Sequence, residues 1–346
     1  MRKELRALCL PFIITGTLAG VVACSQTPAP AEAAGTLADT VIASPSRRSD
    51  PQVEPVLTMR NVQFRFTKDV VVGIDRIRAT MEPTAKAGIV SFDDPASFDL
   101  DVAGAAIRLT MPQAQTLMNE RVFAYKGSNV HHLELAADGK DLVIHGTLTK
   151  GATIPFTMKG SLSMREGRWL AVDANEIKIG AVGVTGLLKA IHVTMQAMID
   201  PPSSGQVRVE KNTILIDVLS ELPAPHVHGV VTALDCCDRG IGLTLGAPAA
   251  AGDSALRAIA PSAMSAPNFI AIRHGSLRFG KMTMTDSELD LMDADPADPF
   301  DFFLRDYQCQ LAAGDAHTTL QYAWHVRMPD FAKLGPRQCP PTGATG

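Results

Sequence analysis

The chain has 346 residues, 46% of them hydrophobic, 20% charged and 5% aromatic, with a formal net charge of -4. That length and apolar content suffice for a full core in one or two domains. A mildly acidic chain without a basic stripe is not built to hold nucleic acid, and no nucleic-acid partner is expected.

The N-terminus opens with the basic stretch "MRKELR", followed by the apolar run "ALCLPFIITGTLAGVVA" up to Cys24. This is the arrangement of an export signal over residues 1–23. Those residues carry a net +2, so the processed chain would stand at -6. The run is short for a membrane span, and "SQTPAPAEAAG" behind it has no positive charge to halt transfer. Val21, Val22, Ala23 and Cys24 resemble the lipobox of bacterial lipoproteins. The resemblance implies cleavage before Cys24 and attachment of lipid to it. With Ser25 rather than aspartate next, it also implies the periplasmic face of the envelope, the outer membrane favoured. Stable anchoring needs more than one acyl chain. Cleavage at a later site such as "AEA" at 31–33, with loss of Cys24, is the alternative. Residues 24–55 form an Ala/Pro/Ser-rich tether, a coil spanning on the order of 30 Å r.m.s..

Period-two alternation dominates from residue 56 onward and defines a domain over 56–334. It is clearest in "VQFRF" (62–66), "SFDLDV" (97–102), "LVIHGTL" (142–148), "TIPFTMKGSLSM" (153–164) and "TILIDV" (213–218). Turns such as "ADGKD", "REGR" and "EKNT" lie between successive strands, which predicts antiparallel hairpins and a meander. A parallel nucleotide-binding sheet would need a helix after each strand.

Helices are few. Thr110 and Pro112 open one that sets Ala114, Leu117, Met118 and Val122 on a single face. A second places Leu187, Leu188, Ile191, Met195, Met198 and Ile199 along one stripe before Pro201 stops it. The segment 246–267 interrupts the strands; its composition predicts a loop, with Leu256, Ile259 and Met264 offering the alternative of an apolar flap. In "LDLMDADPADPFDFFLRDY" (289–307), Asp298 and Pro299 read as a helix start, Asp301 as an acid at the third position, and Phe303, Tyr307 and Leu311 as the buried face up to Gly314. Asp293 and Asp295 fall in the turn leading in. The cluster lacks the central glycine and terminal glutamate of a calcium loop. Residues 335–346 are expected to be a disordered tail.

No catalytic motif emerges. "GSLRFGK" (275–281) has Met282 where a phosphate-binding loop needs a hydroxyl, and its Leu277 and Phe279 alternate like a strand. "GAVGVTG" (180–186) has the wrong glycine spacing for a dinucleotide site. There is no serine elbow and no H-E-x-x-H. His226 and His228 share one face of a strand and read as its wet side, with Val227 inward; His131 and His132 fall on opposite faces. Neither a metal site, a cofactor nor catalytic residues are expected. Cys236, Cys237, Cys309 and Cys339 are candidates for disulfides in an exported chain. Neighbouring cysteines rarely bond each other, so cross-links from Cys236 or Cys237 to Cys309 and Cys339 are expected.

The alternating strands "RNVQFRFTKDVVVGIDRIRATM", "FDLDVAGAAIRLTMPQAQTLMN" and "ELAADGKDLVIHGTLTKGATIPFTMKGSL" resemble the LmeA-like phospholipid-binding proteins of bacterial envelopes, members of the tubular lipid-binding (TULIP) class. The resemblance runs from about Val56 to Gly246. It implies an α+β fold in which a strongly curved antiparallel meander sheet wraps round a helix and leaves an apolar groove. The 187–199 helix is the candidate for the wrapped one, its six apolar residues lining the groove. The implied function is non-catalytic binding of phospholipid or another apolar ligand, as carrier, sensor or lipid chaperone. The rivals are a structural or adaptor lipoprotein that binds an envelope protein, and a metal-dependent enzyme using the aspartate cluster or the His226/His228 pair.

Overall fold

Alternation in the sequence becomes strand nearly everywhere it occurs. The computed structural model describes residues 53–180, 194–202, 205–319 and 323–335, so the expected export signal, Cys24, most of the expected tether and nearly all of the expected tail lie outside it. The described strands are β1 (Val56–Arg65), β2 (Val71–Pro83), β3 (Val90–Ser91), β4 (Phe98–Leu109), β5 (Val130–Asp138), β6 (Asp141–Lys150), β7 (Ala152–Arg165), β8 (Trp169–Ile179), β9 (Val207–Glu210), β10 (Thr213–Asp217), β11 (His226–His228), β12 (Val231–Cys237), β13 (Gly240–Gly246), β14 (Phe269–Phe279), β15 (Met282–Asp293), β16 (Phe300–Phe303), β17 (Asp315–Thr318) and β18 (Trp324–Met328). The helices are α1 (Met111–Leu117), α2 (Met195–Met198), α3 (Asp253–Ile259) and α4 (Tyr307–Ala313). Among the described residues the chain is thus strand-rich with few helices, and its two sheets are open and do not close into a barrel.

The smaller sheet runs β5-β6-β7-β8-β10-β9. All its pairs are antiparallel, as the short turns predict. The larger runs β12-β13-β4-β2-β1-β14-β15-β18-β17, with β11 beside β4, β16 beside β1 and β3 beside β14. It departs from a meander. The pairs β1/β16, β4/β11, β3/β14 and β15/β18 are parallel and join segments distant in sequence. Turn chemistry reports only local hairpins, so these contacts have no short-range signal.

In β1 the inward set changes parity. Leu57 and Met59 point in before Asn61, and Val62 and Phe64 after it, all no more than 4% exposed. Asn61, at φ 52°, is where the strand absorbs the extra residue. Register shifts also interrupt β2/β4, β5/β6, β7/β8 and β12/β13. Bulges of this kind bend strands and increase their twist.

One apolar core takes residues from both sheets. Helix α1 reaches it with the predicted face, Ala114, Leu117, Met118 and Val122 all being buried. Its start is a full capping box: Thr110 Oγ1 accepts from the Gln113 N–H at 3.4 Å, and Gln113 Oε1 from the Thr110 N–H at 2.9 Å. Beyond Leu117 the helix widens into a π turn, Met118–Val122.

Three expectations need correction. The 246–267 segment is not a plain loop. It folds as a 3-10 turn (Pro248–Ala251), α3 and a second 3-10 turn (Ala263–Ser265). Its Leu256, Ala260 and Ala263 are fully buried against Phe269, Ala271 and Met292, forming a second, small core. These face away from Ile270 and Ile272, which belong to the main core, so both sides of β14 are buried. Leu256 therefore covers the back of the large sheet and does not cap a cavity.

The helix expected to be capped by Asp298 has its cap eight residues later, at Asp306. Phe300–Phe303 forms β16, parallel to β1 with Val62 opposite Phe300 and Phe64 opposite Phe302. A 3-10 turn, Leu304–Asp306, leads into α4, which stops at Gly314 as expected. "FDFF" satisfies a period of two as well as four, and pairing with β1 decides between them.

The third correction concerns the cysteines. Cys236 and Cys237 are free thiols, so neither cross-links as expected. Cys309 is disulfide-bonded, and Cys339, its expected companion in such cross-links, lies outside the described residues.

Candidate functional site: an apolar passage between the sheets

Three cavities follow one another through the main core. The first, about 50 Å³, lies between Ile107, Leu109, Ile241 and Leu243 of the large sheet, Leu135, Leu142, Leu170, Val172 and Ile216 of the small one, and the buried face of α1. The second, about 30 Å³, shares Val72, Ile107, Leu219 and Leu222 with the first. The third, about 10 Å³, shares Met59, Phe64 and Leu100 with the second. Shared walls make them one interrupted apolar passage, widest where the two sheets and α1 meet.

The aromatic residues are concentrated at the narrow end. Phe279 and Tyr307 have ring centroids 4.4 Å apart, Phe92 and Phe279 5.3 Å, and Phe279 and Trp324 5.5 Å. Tyr307 is fixed by its hydroxyl, which donates to Asp93 Oδ1 at 2.8 Å and accepts from the Gly280 N–H at 2.6 Å. Burial, then the Asp93 carboxylate, pushes that phenol well above its ordinary range. Rigid rings with few rotamers close this end, whereas the wide end is walled by aliphatic and methionine side chains that repack more easily.

One ionisable residue lies in the wall of the wide cavity. Glu221, in the turn after β10, is 6% exposed. Burial pushes its carboxyl above the ordinary glutamate range; the Arg121 charge pulls it partly back and the Asp217 charge adds to the rise. Its carboxyl oxygens make no hydrogen bond or ion pair among the described residues, although Arg121 Nε donates to its backbone carbonyl at 3.2 Å. Neighbouring Asp217 is satisfied by Arg168, with nitrogens at 2.6 and 2.7 Å. Residue type alone could not have singled out Glu221, which reads as a polar turn residue in "SELPAP".

The predicted groove residues are divided. Leu187, Leu188 and Ile191 lie outside the described residues. Met195, Met198 and Ile199 are buried, at 1%, 4% and 2% exposure, but they pack near β9 and do not line the passage. Of the segment expected to form that helix, the described part contains α2, one turn capped by Thr194. The helix that walls the wide cavity is α1, whose apolar face was legible but was not the expected lining.

The aspartate run is organised around a lysine. Lys333 Nζ lies 2.8 Å from Asp295, 3.1 Å from Asp298 and 2.8 Å from Asp330, where an ammonium supplies the cation the carboxylates need. These contacts raise the Lys333 pKa and lower that of Asp295. Asp301 instead takes the Arg65 fork at 2.5 and 2.9 Å. Asp293 Oδ1 accepts from the Asp295 N–H at 2.9 Å, the turn role expected of it.

His226 and His228 are exposed on β11, His228 lying 3.3 Å from Asp99, while Val227 turns inward to line the second cavity. His131 and His132 do not take opposite faces: His132 at φ 51° leaves both exposed, with rings 6.3 Å apart. Among the described residues no group of three or more His, Cys, Asp or Glu is arranged to hold a metal, and no helix is long and apolar enough to cross a membrane.

No protein-family profile, curated protein or solved structure matches the chain. The class that the fold defines is therefore the coarse one: an α+β protein of two open, mainly antiparallel sheets sharing an apolar core.

Proposed function

We propose that this protein binds a lipid or another apolar ligand in the bacterial cell envelope, without catalysis, as a tubular lipid-binding-like protein tethered through lipid on Cys24. The observation that carries the reading is the passage of three wall-sharing apolar cavities between the sheets, bordered by a helix. The π turn Met118–Val122 in its wall adds support, since such turns recur at functional sites. The passage is narrow. An apolar cavity of roughly 150 Å³ accepts benzene, so the widest space here must open by side-chain repacking before it takes an acyl chain.

That narrowness also favours a second reading, an adaptor lipoprotein whose core is solid and whose surface holds an envelope protein. Mass spectrometry of organic extracts from the purified, folded chain separates the two. Near-stoichiometric lipid supports the first; lipid-free protein that co-purifies with a stoichiometric protein partner supports the second and defeats the first.

A further inference from the structure

Glu221 lies between two environments. The residue as a whole is only 6% exposed, yet its carboxyl oxygens are not among the buried polar atoms that lack a partner, so they reach solvent at the edge of the wall. Here the stem of Glu221 helps wall an apolar cavity while its oxygens meet no donor among the described residues. The nearest cation, Arg121, is spent differently: its Nε holds the Glu221 carbonyl, and its terminal nitrogens donate to nothing described. Arg121 is exposed and sits in the π turn of the same cavity wall, between Met118 and Val122. The two opposite charges are close enough to influence each other and are not paired.

Resting on the lipid-binding reading, we propose that Glu221 and Arg121 form a headgroup site at the rim of the wide cavity, specific for zwitterionic amphiphiles. The ammonium of the headgroup donates to the Glu221 carboxylate, its phosphate accepts from the free end of the Arg121 fork, and its tail enters the cavity between α1 and the two sheets. A carboxylate meeting an ammonium, and a guanidinium meeting a phosphate, form charge-assisted hydrogen bonds. The unpaired state of both residues without ligand is then preorganisation for binding.

The test is isothermal titration of the full chain with three twelve-carbon amphiphiles below their micelle concentrations: dodecylphosphoethanolamine, dodecylammonium and dodecanoate. The zwitterion should bind about tenfold more tightly than either singly charged compound, the scale of one charged hydrogen bond. Glu221→Gln should weaken dodecylphosphoethanolamine and dodecylammonium about tenfold and leave dodecanoate within twofold. Arg121→Gln should weaken dodecylphosphoethanolamine and dodecanoate and spare dodecylammonium. Equal affinities for all three in the unaltered chain overturn the headgroup site while leaving lipid binding intact. Binding of none of them defeats the lipid-binding reading and the site with it. The ranking in the unaltered chain stands even if a variant fails to fold.

Discussion

Replacing Asp301 with alanine tests how the aspartate run is used. Asp301 lies on β16, its side chain 11% exposed, and its carboxylate takes both arms of the Arg65 fork, at 2.5 and 2.9 Å, and the Ala332 N–H at 3.0 Å. Alanine removes all three acceptor contacts and leaves the guanidinium facing the Phe331 ring, 5.7 Å from its centroid. Breaking a fully buried ion pair costs about 3–5 kcal/mol. The Arg65 side chain is 21% exposed and recovers some water, which reduces the expected loss to about 2–3 kcal/mol. For a unit of this size that is a fall of about 5 °C in Tm, read by circular dichroism. Asp298→Ala is the matched control. Had Asp298 capped a helix, its loss would match that of an N-cap, about 1 kcal/mol. In the structure its half-exposed carboxylate is one of three around Lys333, so Tm should move by no more than about 1 °C. An Asp298 effect equal to or larger than that of Asp301 would refute the assignment of 300–303 to the sheet.

Other outcomes follow from the same packing. Glu221→Gln should stabilise the protein at neutral pH. Its folded-state pKa is raised, so Glu221 favours folding most below the ordinary glutamate value and loses that contribution as pH climbs through the raised one. The variant's advantage in Tm should therefore vanish at about pH 4 and grow toward pH 7; an advantage independent of pH would contradict this. Leu256→Ala leaves a hole under the insertion, costs about 3 kcal/mol, and should speed tryptic cleavage at the neighbouring Arg257. Unchanged cleavage would mean that α3 is not held by Leu256.

What was legible in the sequence was local. Alternation placed the strands, and Thr110 with Pro112 placed the start of α1 with its apolar face, because side chains within a few residues decide both. The parallel contact of β16 with β1 joins residues more than 200 positions apart, and no turn announces it. The insertion was misread for a related reason. Its alanines, glycine and prolines suit a loop, and only contact with the back of β14 makes burial of Leu256 and Ala260 favourable enough to hold it as helix. The expected disulfides of Cys236 and Cys237 failed because pairing depends on a distance that spacing does not encode.

On the proposed reading, the distribution of side chains also limits the ligand. Tyr307, Phe279, Phe92 and Trp324 close the narrow end by ring contacts, and the Tyr307 hydroxyl is held at both Asp93 and Gly280. Opening that end means breaking hydrogen bonds as well as packing. Opening the wide end means only moving Leu, Ile, Val and Met side chains around α1, where most of the existing free volume lies. A tail entering past Glu221 therefore meets side chains of increasing rigidity and should end before the phenylalanines. Leu117→Trp, which fills the wide end from α1, should then abolish amphiphile binding, whereas Phe302→Leu at the narrow end should lower stability by about 1 kcal/mol and leave affinity within about threefold. If Phe302→Leu changed affinity as strongly as Leu117→Trp, the tail would reach the aromatic end and the order of the passage would be reversed.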